Sequence, residues 1–291
     1  MLLCFIASCC FADTSETAFT APQPNNRPPL LPAPHSLPPS PYRAVYGAVL
    51  DHRGFPFPFG VEAKGEAIRE LSVQQDGIYK LHTEASASLP GFFIKIWLKE
   101  SSSFSWNSEL SKLKPVQYEY QRLVERPWPF DIYPRKAVLK FDWEKNRVRN
   151  NVQNRPWNLR ITEDTLDKLN YQLQIRLDLN QAILPPNSVI SYRVADGGSS
   201  LQTYRFAVIG DEIIDTPVGK LNTLKVLRLT NKKDKQTTLW LAKDYEFLLV
   251  RMERQESPST HVTLFLKQAT LAEKNVVGLS MGSDSTAPKL P

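Results

Sequence analysis

Along most of this chain apolar and polar residues alternate with a period of two, the pattern of strands with one dry and one wet face. In 78–87, Tyr79, Leu81 and Ala85 alternate with Lys80, His82 and Glu84. In 92–106, Phe92, Ile94, Ile96, Leu98, Phe104 and Trp106 fall on one side, and Phe93, Lys95, Trp97 and Lys99 on the other. Further strands are expected at 42–50, 60–73, 116–124, 136–143, 147–152, 188–195, 201–209, 221–229, 237–242, 248–253 and 260–267. Gln74-Gln75-Asp76-Gly77, Glu144-Lys145-Asn146 and Asp196-Gly197-Gly198-Ser199 read as turns.

The period changes once. In 162–182, Leu166, Leu169, Leu173 and Leu177 recur at three- and four-residue spacing, one stripe of a 3.6-residue helix. Thr162 is the expected N-cap, Glu163 and Asp164 are first-turn acids, and Pro185-Pro186 blocks continuation. The plain reading is a helix that covers one face of a sheet; the functional reading is a movable lid over an apolar cavity. The pattern therefore predicts a mainly β fold. It would be a large curled antiparallel sheet, a half-open barrel, with one long helix on its concave side.

Composition narrows this picture. A chain of 291 residues can bury one sizeable core, or two small ones. Cys4, Cys9 and Cys10 all precede the body, which therefore has no disulfide, thiol or cysteine-metal chemistry. His35, His52, His82 and His261 are scattered, so no metal site and no cofactor is expected. The wet face of its strand makes His82 a surface histidine. Residues 1–12 form an apolar, signal-like segment, and Ile6-Ala7-Ser8-Cys9 fits a lipobox with Cys9 as the lipidated residue. Cleavage after Ala12 is the competing site. Residues 13–41 form a Pro-rich linker, with nine prolines between Ala21 and Pro41. It reads as a stalk carrying a body at 42–270; residues 271–291 read as a disordered tail.

The formal net charge is +6, and its distribution carries more information than its size. Between Arg126 and Arg160 nine Arg/Lys stand against three acids, which accounts for the whole excess. Arg135, Lys136, Lys140, Arg147 and Arg149 are the candidate anionic-surface residues, with Trp128, Phe130, Tyr133, Phe141, Trp143 and Trp157 interleaved. Such a mixture suits single-stranded nucleic acid or an anionic membrane face. In an exported protein the second is expected and nucleic acid is not; the plain alternative is a solvated hairpin region. Trp97, beside lysines on a wet face, is either an interfacial or ligand contact or is covered by a second layer.

Catalytic signatures fail on context. Gly278-Leu279-Ser280-Met281-Gly282 matches a nucleophile elbow, yet no histidine follows it. No phosphate-binding glycine loop is present. Asp211, Glu212 and Asp215 read as a solvated acidic turn. No catalytic residue is assigned.

Several blocks then carry a resemblance. Residues 215–226, DTPVGKLNTLKV, resemble the "TPxGxxxTLKV" block of the DUF3108 family. Residues 238–244 with Leu249-Val250-Arg251 resemble its "WLA-D…PVR" block, with Leu249 in place of proline. Residues 164–173 resemble its "LDxLSxxYQLR" helix, with Asn170 where serine is usual, and 104–115 an upstream strand pair. The resemblance implies an exported envelope protein whose curled sheet and helix are similar to carriers that shelter acyl chains. It implies no catalytic residue. In the TPxG turn Pro217 sets φ and Gly219 supplies a positive φ.

The expected function is a non-catalytic binding or assembly module for an apolar or anionic envelope ligand. It would lie in the periplasm or at the outer membrane, with a lipid or other anionic envelope component as partner. The candidate ligand-binding residues are Trp97, Leu166, Leu169, Leu173 and Leu177. The alternatives are a carboxylate-dependent enzyme on envelope glycans and a purely structural scaffold.

Overall fold

The computed structural model describes residues 37–54, 57–89, 94–125, 134–231 and 234–279. Cys9, nearly all of the Pro-rich linker, the aromatics of 126–133 and residues 280–291 lie outside the described residues.

The strands are β1 (Tyr42–Gly54), β2 (Phe57–Val73), β3 (Tyr79–Leu89), β4 (Ile94–Asn107), β5 (Lys112–Glu125), β6 (Arg135–Asp142), β7 (Arg147–Val152), β8 (Arg155–Arg160) and β9 (Thr165–Asp167). After the helix α1 (Asn170–Gln181) come β10 (Val189–Ala195), β11 (Gln202–Thr216), β12 (Gly219–Leu229), β13 (Gln236–Ala242), β14 (Leu248–Ser257), β15 (Thr260–Leu271) and β16 (Lys274–Asn275). All sixteen belong to one sheet. Strands β1 to β8 form one meander and β10 to β15 another. They join where β15 returns to pair with β1, with Tyr42 opposite Leu271. The sheet is barrel-like but not closed. Its far ends meet through side chains: Asn150 Nδ2 and Trp157 Nε1 donate to Gly198 O, in the β10–β11 turn, at 3.4 and 3.2 Å.

Alternation explains the strands. In β3, Leu81, Thr83, Ala85 and Ala87 are buried while Lys80, His82 and Glu84 are not. His82 Nε2 lies 3.1 Å from Glu84 on that wet face. The hairpin at 74–77 also forms as read, with Gly77 at φ +77°.

Four readings need correction. The helix does not begin at Thr162. Thr165–Asp167 pair in parallel with Arg193–Ala195, so Leu166 sits in a strand opposite Val194. The turn is made by Asp167, whose Oδ1 accepts the N–H groups of Leu169 and Asn170, both at 2.8 Å. Leucine spacing runs through this corner without revealing it, because three residues of strand have no period. Second, Asp211, Glu212 and Asp215 lie within β11 and not in a turn. A bulge at Val208/Gly210 shifts the register and hides the alternation. Glu212 and Asp211 pair with Lys225 and Lys243 at 3.0 and 2.5 Å. Third, β8 was not expected. Fourth, the body does not stop at 270: β16 pairs with β15, Val276 is buried, and Lys220 bridges to Leu279.

Helix α1 packs on the core face of the sheet and touches both meanders. Tyr171 stacks on Phe206 and meets Tyr204 edge-on, at centroid distances of 5.9 and 5.0 Å. On the other side Arg69 Nη1 donates to Gln172 Oε1 at 2.8 Å, and Gln174 Oε1 accepts Leu113 N–H at 2.9 Å. Leu169, Leu173, Ile175, Leu177 and Leu179 are all buried. Each such side chain contributes about 1.5–3 kcal/mol of hydrophobic stabilisation. Asn170, Gln174 and Arg176 are buried too, so the helix is enclosed on more than one side.

Candidate functional site

A cavity of about 50 Å³ lies between α1 and the sheet. β1 contributes Tyr42 and Tyr46; α1 contributes Tyr171, Gln172, Leu173, Ile175 and Arg176. β13 and β14 close it with Leu239, Leu241, Leu248, Leu249 and Met252. Phe206, Leu81, Arg69, Arg228 and Thr237 complete the wall. The lining is apolar apart from a few polar groups, the usual make-up of a small-molecule site. A water needs roughly 10–15 Å³ and a cavity of roughly 150 Å³ holds benzene, so this cavity admits a small group and not a whole acyl chain.

Arg176 Nε donates to Glu246 O at 3.1 Å, and its guanidinium lies over the Tyr42 ring at 4.6 Å. Its Nη1 is buried without a hydrogen-bond partner. Arg69 donates from Nε to Thr83 Oγ1 at 3.2 Å as well as to Gln172. Arg228 stacks on Tyr204 at 4.2 Å.

Beside α1 is a second polar group. Glu100 and Ser102 share the dry side of β4 with Ile96, Leu98 and Phe104. Tyr118 donates to Glu100 Oε1 at 2.7 Å, and Ser102 Oγ donates to Asp167 Oδ2 at 2.5 Å. Burial raises the Glu100 carboxyl to about 7, against the hydrogen bond from Tyr118 and the fields of Lys168 and Arg69, which lower it. Burial also raises Asp167 to about 6, against Ser102 and the two backbone N–H groups. Neither acid lines the cavity. Among the described residues no cluster of His, Cys, Asp and Glu is suited to a metal.

The structure separates the residues singled out from the sequence. Leu166, Leu169, Leu173 and Leu177 are all buried, but only Leu173 lines the cavity. Trp97 is 45% exposed and lies on the opposite face of the sheet. It is grouped there with the cations. Pairing places Lys99 beside Gln121, Gln121 beside Lys136, Gln117 beside Lys140, and Lys140 beside Arg149. Lys136, Lys140, Arg147 and Arg149 thus share the outer face of β6 and β7. Arg147 and Arg149 both lie against Asp142, at 3.7 and 3.4 Å. Arg135 is exposed at the start of β6. Sequence reasoning missed Arg69, Arg176 and Arg228, which are far apart in the chain. It also missed Glu100 and Ser102, whose signal was present: polar residues at the dry positions of an alternating strand.

The fold has a solved counterpart. The chain is similar to a beta-barrel-like protein of a domain of unknown function, DUF1849, from Brucella abortus. The TM-score is 0.53 at 9% identity, over 81% of this chain and 99% of that one. A DUF1329 family protein from Desulfovibrio piger aligns over 83% and 88% of the two chains, at 10% identity and a TM-score of 0.27. No curated protein matches the sequence. Residues 42–267, from β1 into β15, match the family described as protein of unknown function (DUF3108), and the chain belongs to that family.

Proposed function

We propose that this protein is an exported, non-catalytic binding module of the cell envelope, with α1 on the concave side of the curled sheet as a displaceable cover over an apolar site. The observation that carries this reading is the cavity between α1 and the leucines of β13 and β14. Polar anchors such as Arg69–Gln172 and Arg176–Glu246 hold the helix together with its buried leucines, and opening the cover breaks both kinds of contact. The apolar segment 1–12 supports export to the periplasm or outer membrane, with Cys9 as lipid anchor. The exposed Trp97 and the cations of β6 and β7 support contact between the outer face and an anionic envelope surface.

The enzyme reading is weaker. Glu100 and Asp167 have the raised pKa values of functional carboxylates, yet they are 2% and 0% exposed and neither lines the cavity.

Native mass spectrometry of protein released gently from envelope fractions, with organic extraction, tests the binding reading. A stoichiometric amphiphile is the expected result. An empty protein that also fails to bind any added amphiphile overturns it and favours a scaffold.

A further inference from the structure

We infer that the cavity under α1 is a site for an anionic amphiphile, with the carboxylate or phosphate head held at Arg176 and the apolar chain against the leucine wall. This rests on the cavity reading above and adds the chemistry of the ligand.

Three arginines and no acid line the cavity. A pocket meant only for hydrocarbon gains nothing from guanidinium groups, since burying an unpaired cation costs several kcal/mol. Among the described residues, neither Arg69 nor Arg176 forms an ion pair. The hydrogen-bond partners of Arg69 are the neutral oxygens of Thr83 and Gln172; that of Arg176 is the Glu246 carbonyl. Arg176 is 6% exposed, and its Nη1 is left with a donor unused. The Glu246 carboxylate is turned to Ser40, whose Oγ donates to it at 2.5 Å. Arginine at such a place favours carboxylate or phosphate, because its planar fork gives two parallel hydrogen bonds. The part of the wall made by Leu239, Leu241, Leu248 and Met252 offers an oxyanion nothing and a hydrocarbon chain a dry surface. The two halves of the lining therefore match the two halves of an amphiphile. The small volume of the cavity fits a head group, and the chain follows along the leucine wall as α1 yields.

The test is calorimetric titration of the full chain with dodecanoate, dodecyl phosphate, dodecanol, dodecyltrimethylammonium and inorganic phosphate, each below its aggregation limit. The expected result is that dodecanoate or dodecyl phosphate binds roughly tenfold or more tightly than dodecanol, and that the cationic amphiphile is rejected. Arg176→Gln should remove that preference while keeping dodecanol binding. The head-group comparison needs only the unaltered protein, so it stands even if the variant does not fold. Equal binding of dodecanol and dodecanoate overturns the inference and leaves the cavity reading intact. Inorganic phosphate binding as tightly as dodecyl phosphate overturns the amphiphile assignment in favour of a free-anion site. Binding of none of the five overturns both.

Discussion

The Tyr118 hydroxyl donates to Glu100 Oε1 across 2.7 Å, and both residues are at most 2% exposed. The hydrogen bond favours the carboxylate and burial opposes it. Burial wins, because Glu100 titrates near 7 where 4.5 is ordinary. Between those values the folded protein holds a proton that the unfolded chain has released. Stability from this group is thus complete below pH 4.5 and is lost as pH rises through about 7. The whole loss is about 3 kcal/mol. Glu100→Gln keeps the acceptor for Tyr118 and removes the charge. In urea unfolding at pH 5 to 8, the variant should gain on the wild type as pH rises and exceed it above neutrality. Two parallel stability curves would show that Glu100 is ionised at no cost.

Asp167 fixes the corner between β9 and α1. Its Oδ1 takes two backbone N–H groups and its Oδ2 takes Ser102. Asp167→Ala leaves the two backbone donors buried without an acceptor, while Ser102 keeps Asn170 Oδ1 at 3.1 Å, and the expected cost is about 2–4 kcal/mol. Asp167→Asn keeps the Oδ1 contacts and should cost about 1 kcal/mol. Chemical denaturation of the two variants at one pH separates the effects. Equal losses would mean that charge, and not hydrogen bonding to the corner, is what Asp167 supplies.

Much of the fold could be read from the sequence because one physical rule, alternation, recurs along β1 to β7 and β10 to β15. The failures fall where that rule is interrupted. The bulge at Val208/Gly210 broke the phase of β11, so its acids resembled a loop. Thr165–Asp167 continue the leucine spacing of α1 while belonging to the sheet. The site was less accessible. The leucine stripe correctly marked a buried helix, but α1 is buried on several sides, and the stripe alone does not tell which side meets the cavity. Arg69, Arg176 and Arg228 meet only through the pairing of β1 with β15 and the crossing of α1, and no local pattern encodes that.

The outer cations are not equivalent. Arg147 and Arg149 already face Asp142, while Lys136 and Lys140 lie exposed on the same face, two pairing steps from Trp97's strand. Each cation near an anionic surface contributes about 1 kcal/mol, less where an acid competes. Lys136→Gln with Lys140→Gln should weaken sedimentation with anionic vesicles by roughly tenfold or more, and the Arg147/Arg149 pair by less. Raised salt should diminish both effects. If all five cations, Arg135 included, can be neutralised without loss, the outer face does not address the membrane.

Residues 274–279 act as a strap, and one glycine makes it possible. Gly278 N–H donates to Val218 O at 2.6 Å, Leu279 pairs with Lys220, and the Tyr245 hydroxyl donates to Val277 O at 2.6 Å. The strap thereby lies across the turn at Thr216–Gly219, where Gly219 has φ +109°. A Cβ at Gly278 would sit 2.4 Å from the Gly219 carbonyl carbon and 2.6 Å from Lys220 N. These are backbone atoms that cannot swing away, so strap and turn must separate. Gly278→Ala should cost about 1–3 kcal/mol. It should also remove amide protection at 274–279 and 218–220 in hydrogen exchange, with β2 to β4 unaffected. Gly77→Ala is the control: its Cβ would meet nothing within 4 Å, and only its φ of +77° is unfavourable. It should cost about 1 kcal/mol with no change at the strap. Full protection of 274–279 in Gly278→Ala would show that the two backbones do not need their close approach.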